Sequence, residues 1–504
     1  MIQLNNVSIY VTESGRALVD GISFTLNPGD RTVIIGEEGN GKSTLLKLIA
    51  DPALIEDHAE YTGTISRGRH RIGYLAQETT AAELSMRIPE YVGAEAEPWL
   101  CESICAQVGL DPMIIRRDRP LSTLSGGERV KLRMVKLLMG EPDMLLLDEP
   151  TNDIDLETLE WLEGFIASFD GGVLFVSHDE TLIERTADSV IHIEHIHHKK
   201  VARHTVAHVP YREYMERRER AFAHQAQVSA FEHGEFRKKE ERWREIYEKV
   251  NLAQSDISRR DPSGGRLLKK KMHSVMSQGR RLDRERESLT EAPMSEWQID
   301  IGLPPVELPR RKEILRLSCE GLFSPDGNRL TAGFELSVDA AEHIAIIGRN
   351  GAGKTTLLRM IEAELAGRRD IRTFYMPQNY FDLLEGFDTP IDFLAPTGEK
   401  DAVTRARTYL GSVRFTKDES ESRITELSGG QKAKLMFVKM ALEGYNVLLL
   451  DEPTRNFSPV SNPVIRGILK GFGGCIIAVT HDRKFIAEAA DRVLRLTEEG
   501  LFEV

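Results

Sequence analysis

No apolar run in the chain approaches the ~18 residues that a membrane-crossing helix needs, and its first residues show no charged-then-apolar leader. Cysteine is scarce, with four in 504 residues: Cys101, Cys105, Cys319 and Cys475. The first two lie four apart in a stretch expected to be helical, and no second pair completes a metal set. Inert thiols in a reducing cytoplasm are the expectation. Net positive charge is lacking as well. A formal charge of −13 speaks against a nucleic-acid binder taken as a whole, but the deficit is uneven along the chain.

Residues 211–287 hold 20 Lys/Arg against 14 Asp/Glu, which leaves the remainder at −19. Between Arg259 and Lys271 the imbalance is sharper, with Arg259, Arg260, Arg266, Lys269, Lys270 and Lys271 against Asp261 alone. Tyr211 to Val250 reads as one long helix with Gly234 as its only Gly or Pro, and Arg266 to Leu289 reads as a second. The break between them is expected at Asp261-Pro262-Ser263-Gly264-Gly265, so the two fold back as a hairpin. At 1.5 Å per residue the first arm spans roughly 60 Å. Such a length exceeds what a tether between two domains requires, and a basic tip on an acidic body predicts contact with a polyanion at one place.

On either side of this stretch the same series of motifs occurs twice. Thr32-Val33-Ile34-Ile35 opens into Gly36-Glu37-Glu38-Gly39-Asn40-Gly41-Lys42-Ser43 and a helix beginning at Thr44. Ile344-Ala345-Ile346-Ile347 opens into Gly348-Arg349-Asn350-Gly351-Ala352-Gly353-Lys354-Thr355, followed by Thr356. Both are strand–GxxxxGK[ST]–helix phosphate loops: glycines turn backbone N–H groups inward, the helix start favours an anion, and the lysine neutralises terminal phosphates. Apolar strands ending at Gln77 and Gln378 follow, then Leu124-Ser125-Gly126-Gly127-Glu128 and Leu427-Ser428-Gly429-Gly430-Gln431. Leucine-rich strands then end in Asp148-Glu149 and Asp451-Glu452, and two more end in His178 and His481. Serine, second acid and histidine all shift by 303 positions between halves, whereas the phosphate loops shift by 312. Extra residues are therefore expected in the first half around Asp51 to Tyr61.

This ordered set resembles the ATP-binding cassette family, and the LSGGE/LSGGQ pentapeptides make the match specific. Tandem cassettes, no membrane segment and a charged hairpin between them resemble its ABC-F subfamily, whose members are ribosome-associated ATPases, some protecting ribosomes from antibiotics. The implied fold is α/β: two cassettes in tandem, residues 1–206 and 301–504, joined by a helical hairpin linker over 207–300. The resemblance implies ATP and Mg²⁺ as cofactors. Gly36, Gly39, Asn40, Gly41, Lys42, Ser43 and Thr44, with Gly348, Asn350, Gly351, Ala352, Gly353, Lys354, Thr355 and Thr356, would hold the phosphates. Ser43 with Asp148, and Thr355 with Asp451, would hold the metal. Glu149 and Glu452 would orient the attacking water, Gln77 and Gln378 sense metal and water, and His178 and His481 report the γ-phosphate. Tyr10, with Phe323 as a weaker counterpart, would stack on adenine. Family pairing is head to tail, so Ser125 and Gly127 would complete the Lys354 site, and Ser428 and Gly430 the Lys42 site, in a monomer with an intramolecular cassette pair.

One departure stands out. After the second acid the first half reads Pro150-Thr151-Asn152-Asp153-Ile154-Asp155, while the second ends its loop in Ser458 where the family has an aspartate. The Lys42 site is therefore expected to hydrolyse ATP more slowly. The run His192, His195, His197, His198, His204 and His208 fits an exposed-face strand better than a metal set. Neither half carries an inserted arm before its signature, and the chain ends at Val504 just after the last expected strand, so ribosome contact would rest on the hairpin. Its basic tip would meet ribosomal RNA and transfer RNA. The competing class is the energising subunit of a membrane transporter with separate membrane subunits, which needs no long basic hairpin. A role in antibiotic protection is favoured over housekeeping translation by analogy alone.

Overall fold

The computed structural model describes residues 1–93, 98–196, 201–256, 262–293, 299, 301–306, 308–309, 312–324 and 327–504. The chain divides into two compact units, Met1–Tyr211 with Glu296–Val504, and Arg212–Ser295.

The larger unit contains the repeat. Its first half supplies strands β1 (Ile2–Val11), β2 (Ala17–Leu26), β3 (Arg31–Ile35), β4 (Ala59–Ser66), β5 (Ile72–Leu75), β6 (Met144–Asp148), β7 (Gly172–Val176), β8 (Ser189–Ile196) and β9 (Val201–Ala207). The second half supplies β10 (Glu313–Phe323), β11 (Arg329–Asp339), β12 (His343–Ile347), β13 (Thr373–Met376), β14 (Val447–Asp451), β15 (Cys475–Val479), β16 (Arg492–Thr497) and β17 (Gly500–Glu503). Each half builds a six-stranded sheet, β5-β6-β7-β3-β8-β9 and β13-β14-β15-β12-β16-β17. Five strands of each run parallel and the last is antiparallel. Parallel strands covered on both faces read as unbroken apolar runs, which is why Leu145 to Leu147 and Leu448 to Leu450 are all buried. In each sheet the strand carrying the phosphate loop lies two places from the strand carrying the paired acids, and their carboxyl ends open on one crevice, where α/β sheets bind ligands.

The halves differ in their small antiparallel sheets. The first has three strands, β2-β1-β4, and the second only two, β10-β11. The additional residues of the first half form a 3₁₀ turn, Pro52–Leu54, and the start of β4, which pairs with β1. The histidine run departs from its expected exposed face. His192 and His195 are buried, because β8 lies between β3 and β9 with both faces covered, and His195 Nε2 lies 2.9 Å from the Leu18 carbonyl oxygen. His197 and His198 lie outside the described residues.

The smaller unit is a helical hairpin. Its helices are Tyr211–Asp256, 46 residues, and Pro262–Glu287, 26 residues, or about 69 and 39 Å long. The first helix runs further than Val250, and the second begins earlier than Arg266. Proline is tolerated at a first helical position, where its missing N–H has no partner to lose, so Pro262-Ser263-Gly264-Gly265 opens the second helix and does not form the turn. Asp261, Arg259 and Arg260 lie outside the described residues. Few apolar side chains seal the hairpin: Phe236, Val250 and Val275 are buried. Trp243 Nε1 donates to the Val275 carbonyl at 2.8 Å, and a Cβ on Gly279 would come within 2.9 Å of the Trp243 ring. Ion pairs Arg286–Glu240 and Lys239–Glu285 bridge the helices.

Candidate functional site: two composite phosphate sites

Each phosphate loop leaves a buried central strand and closes on a left-handed glycine, Gly41 (φ 87°) or Gly353 (φ 95°), that caps the next helix. Non-glycine residues pay to adopt that conformation. Gly36 and Gly348 are confined as well, since a Cβ would come within 2.2 Å of the Ile193 carbonyl oxygen and 2.5 Å of that of Leu496. Within the loops, Lys42 Nζ donates to the carbonyls of Gly36 (2.8 Å) and Glu37 (3.0 Å). Lys354 Nζ repeats this with Gly348 (2.7 Å) and Arg349 (3.0 Å). Gly39, Asn40, Gly351 and Ala352 complete the loops, and Thr44 and Thr356 lie in the first helical turns.

The helix hydroxyls reach the paired acids. Ser43 Oγ donates to Asp148 at 2.9 Å and Thr355 Oγ1 to Asp451 at 2.7 Å. Burial pushes the Asp148 carboxyl up to about 6 and raises Asp451 too. The next residues, Glu149 and Glu452, sit at φ 46° and 54°, a strained backbone for a side chain of that size. Around Glu149 the carboxylate accepts from Gln77 (3.1 Å) and Asn152 (2.7 Å), and His178 Nε2 approaches to 3.2 Å. The other ring nitrogen of His178 lies 2.6 Å from the Phe457 carbonyl oxygen of the other half. Burial works against ionisation of Glu149, but His178 and Lys42 outweigh it and hold the carboxyl down at about 2. Glu452 is looser: His481 offers its backbone N–H at 3.3 Å and its ring nitrogen at 3.8 Å. Burial, aided by Asp451, pushes Glu452 up to about 7, and burial pulls His481 down to about 4. His481 Nδ1 has no partner among the described residues.

Head-to-tail contacts run between the halves. Ser125 and Ser428 cap the helices Gly126–Leu138 and Gly429–Glu443 through capping boxes with Glu128 and Gln431, an arrangement that stabilises a helix start by about 1 kcal/mol. The Gly430 N–H, at the start of the second of these helices, donates to Glu38 of the first phosphate loop at 2.5 Å. In the second phosphate loop Asn350 donates to the Asp153 carbonyl at 2.7 Å and Arg349 pairs with Glu157 at 2.9 Å. A cavity of about 570 Å³ joins Gly126 of the first half to Lys354, Thr355, Gln378, Glu452 and His481 of the second. Another of about 660 Å³ holds Lys42, Ser43, Gln77, Glu149 and His178 with Arg455 and Asn456. Tyr10 and Phe323 do not line these cavities. Val11, Arg16 and Leu18 stand at the Lys42 cavity, and Ser324 and Leu330 at the Lys354 cavity.

Sequence reasoning missed the role of Glu37 and Glu38, although two acids stood where the second loop has Arg349-Asn350. Glu37 is buried and accepts from Ser458 Oγ at 2.8 Å and from Ser461 Oγ, with Lys434 Nζ at 3.8 Å. Burial opposes its ionisation, but Lys434 and the two hydroxyls prevail and keep its carboxyl below the ordinary range. At the second site the corresponding residues are Arg349 and Asp155; burial opposes ionisation of the Asp155 carboxyl, but hydrogen bonding to Thr158, with smaller help from His481 and Arg349, keeps it below the ordinary range. The carboxylate that the loop at Ser458 lacks is thus found on the phosphate loop across the interface.

Comparison with known proteins accords with this geometry. A family profile described as ABC transporter matches residues 19–152 and 331–455, just over half of the chain. The probable ATP-binding protein YheS of Escherichia coli K12 is 27% identical over 539 residues, covering 96% of this chain and 77% of its own. The tylosin resistance ATP-binding protein TlrC of Streptomyces fradiae is 29% identical, covering 96% and 95%. The archaeal ribosome recycling factor aABCE1, solved in complex with the ribosomal stalk protein aP1, superposes with a TM-score of 0.60 at 16% identity, covering 98% of this chain and 89% of its own; at that identity the likeness is one of fold. Among the described residues no helix is long and apolar enough to cross a membrane. Two cassettes in tandem, each with its own ATPase machinery, place the chain in the ATP-binding cassette family, as a member of its ABC-F subfamily.

Proposed function

We propose that the protein is a cytoplasmic, ribosome-acting ATPase in which closure of cassettes 1–206 and 301–504 on ATP governs the hairpin linker 207–300. The observation that carries this reading is the hairpin itself. At the start of its second helix Arg266, Lys269, Lys270 and Lys271 are exposed and form no ion pair among the described residues. Leu252 and Leu267 are exposed apolar side chains on the two helices. Unpaired cations interleaved with apolar groups suit a folded RNA, whose phosphates take the charge and whose bases take the apolar contact. The relative named for tylosin resistance supports protection of ribosomes from an antibiotic as the task.

The arm has a mechanical root. Tyr211, the first residue of the long helix, is buried and donates its hydroxyl to the Pro459 carbonyl at 3.1 Å. Pro459 follows Ser458, which holds Glu37 of the first phosphate loop. A change at that loop therefore has a path of two hydrogen bonds to the base of the helix.

In the nucleotide sites Lys42 and Lys354 would leave the loop carbonyls for the β- and γ-phosphates. The oxygen pairs Ser43–Asp148 and Thr355–Asp451 fit Mg²⁺: both are hard donors, and a dication would relieve the burial that raises the two carboxyls. When bound, the metal would offset phosphate charge. Glu149 and Glu452 would orient the attacking water, Gln77 and Gln378 would sense it, and His178 and His481 would contact the γ-phosphate. Ser125 and Gly127 would complete the Lys354 site, and Ser428 and Gly430 the Lys42 site, through helix N-termini aimed at the phosphate.

The test is ribosome binding by a K269E/K270E/K271E variant across a salt series. Loss of three phosphate contacts should weaken binding and flatten the salt dependence by about two units in the log–log slope. An unchanged slope and affinity would remove the hairpin from the interface.

A further inference from the structure

Along the Lys354 cavity, whose lining includes Asp179, Glu180 and Asp482, the halves also meet through a layer of buried charge. Arg466, 2% exposed, forms a bidentate pair with Glu180 of the first half at 2.6 and 3.2 Å. Arg483 pairs with Glu163 and, at 3.0 Å, with Asp179. Lys484 adds contacts to Glu180 (3.1 Å) and Glu184 (2.5 Å). Among the described residues, every cation that crosses at this face comes from the second half, and every acid from the first. Burial raises the Asp179 and Glu180 carboxyls even beside their cations, so a mismatch here is costly.

The 303-position repeat makes the pattern explicit. Glu163 corresponds to Arg466, Glu180 to Arg483, and Arg185 to Glu488. The contacts correspond as well. Glu163–Arg483 is the pseudo-twofold mate of Arg466–Glu180, and the supporting pair Arg185–Glu163 (2.8 Å) is the mate of Glu488–Arg466 (2.8 Å). One geometry is used twice with the signs reversed at Glu163/Arg466, Glu180/Arg483 and Arg185/Glu488; Asp179 and Asp482 keep their charge, and Lys484 and Glu184 correspond to the neutral Thr181 and Ala487. Two first cassettes brought together in this geometry would set Glu163 against Glu180 twice over. Two second cassettes would set Arg466 against Arg483.

We propose that this face is a pairing code: its acidic surface on the first cassette accepts only the basic surface of the second, and each cassette rejects a copy of itself. Tandem cassettes descended from one unit share their packing surfaces, and shape alone would allow like to pair with like. Opposite charge at equivalent positions separates the two outcomes, because an unpaired buried charge penalises the wrong partner more than a correct pair rewards the right one. The second cassette of the same chain is then the favoured partner, and the nucleotide sites form as unlike pairs.

The test uses the full chain. E163R/E180R makes both faces basic and should lower steady-state ATPase activity about tenfold or more, with a longer inter-cassette distance by fluorescence transfer. The charge-exchanged chain, E163R/E180R/T181K/R185E with R466E/R483E/K484T/E488R, restores complementarity with the signs reversed and should return activity to within about threefold of the parent. Recovery in the exchanged chain supports the code even if E163R/E180R does not fold. Full activity in E163R/E180R, or an exchanged chain as defective as R466E/R483E alone, would overturn it.

Discussion

The Ser458→Asp substitution tests the asymmetry of the two sites most sharply. It restores the residue that the family pattern has, yet it should damage this protein. Ser458 is buried and its hydroxyl donates to Glu37 at 2.8 Å. A carboxylate in its place loses that bond, and a hydrogen bond to a charged group contributes about 1.5–3 kcal/mol. It also sets two negative charges about 4 Å apart, which at an effective dielectric near 20 repel by about 4 kcal/mol. Protonation of one carboxyl limits the total, so the closed pair should weaken by about 4 kcal/mol, or roughly a thousandfold in its population. Steady-state ATPase activity and fluorescence transfer between the cassettes would report it. The compensated variant, E37R/S458D, recreates the Arg349–Asp155 charges of the second site and should recover most of the loss. The reasoning fails if S458D is as active as the parent, or if E37R/S458D is no better than S458D.

Other outcomes follow from the same geometry. In single-turnover assays Glu452→Gln, which leaves only the Lys42 site, should retain a lower rate than Glu149→Gln; equal rates would refute the asymmetry. Gly279→Val should push against Trp243 and destabilise the hairpin by about 1–3 kcal/mol, read as faster hydrogen exchange over residues 212–293 with unchanged nucleotide binding. Tyr211→Phe keeps the ring but removes the bond to Pro459, and should uncouple ribosome binding from nucleotide state while ATPase activity stays within about twofold; unchanged coupling would rule out that route.

Much of this was legible in the sequence, because cassette motifs combine a backbone demand with a chemical one. Only glycine satisfies the turns at Gly41 and Gly353, and only an unbroken apolar run fits strands such as β6 and β14. The 303-against-312 offset pointed to extra residues around Asp51 to Tyr61, which form a 3₁₀ turn and the start of β4, but gave no sign that a strand would follow. Alternation failed for the histidine strand, since His192 and Glu194 follow the period of a half-exposed strand but sit in one covered on both faces. The hairpin boundary failed because Pro and Gly were read as a turn, whereas proline at Pro262 starts a helix. Glu37, Glu38 and the Arg466–Glu180 layer were out of reach for a different reason. Each acts through a residue hundreds of positions away, and only the folded interface pairs them.

The central claim, that ATP closure of the cassettes places the hairpin on the ribosome, is tested most directly by co-sedimentation of Glu149→Gln/Glu452→Gln with ribosomes. With ATP the variant should pellet with ribosomes and with ADP it should not, and K269E/K270E/K271E in the same background should release it. A variant that stays in the supernatant with ATP would contradict the account.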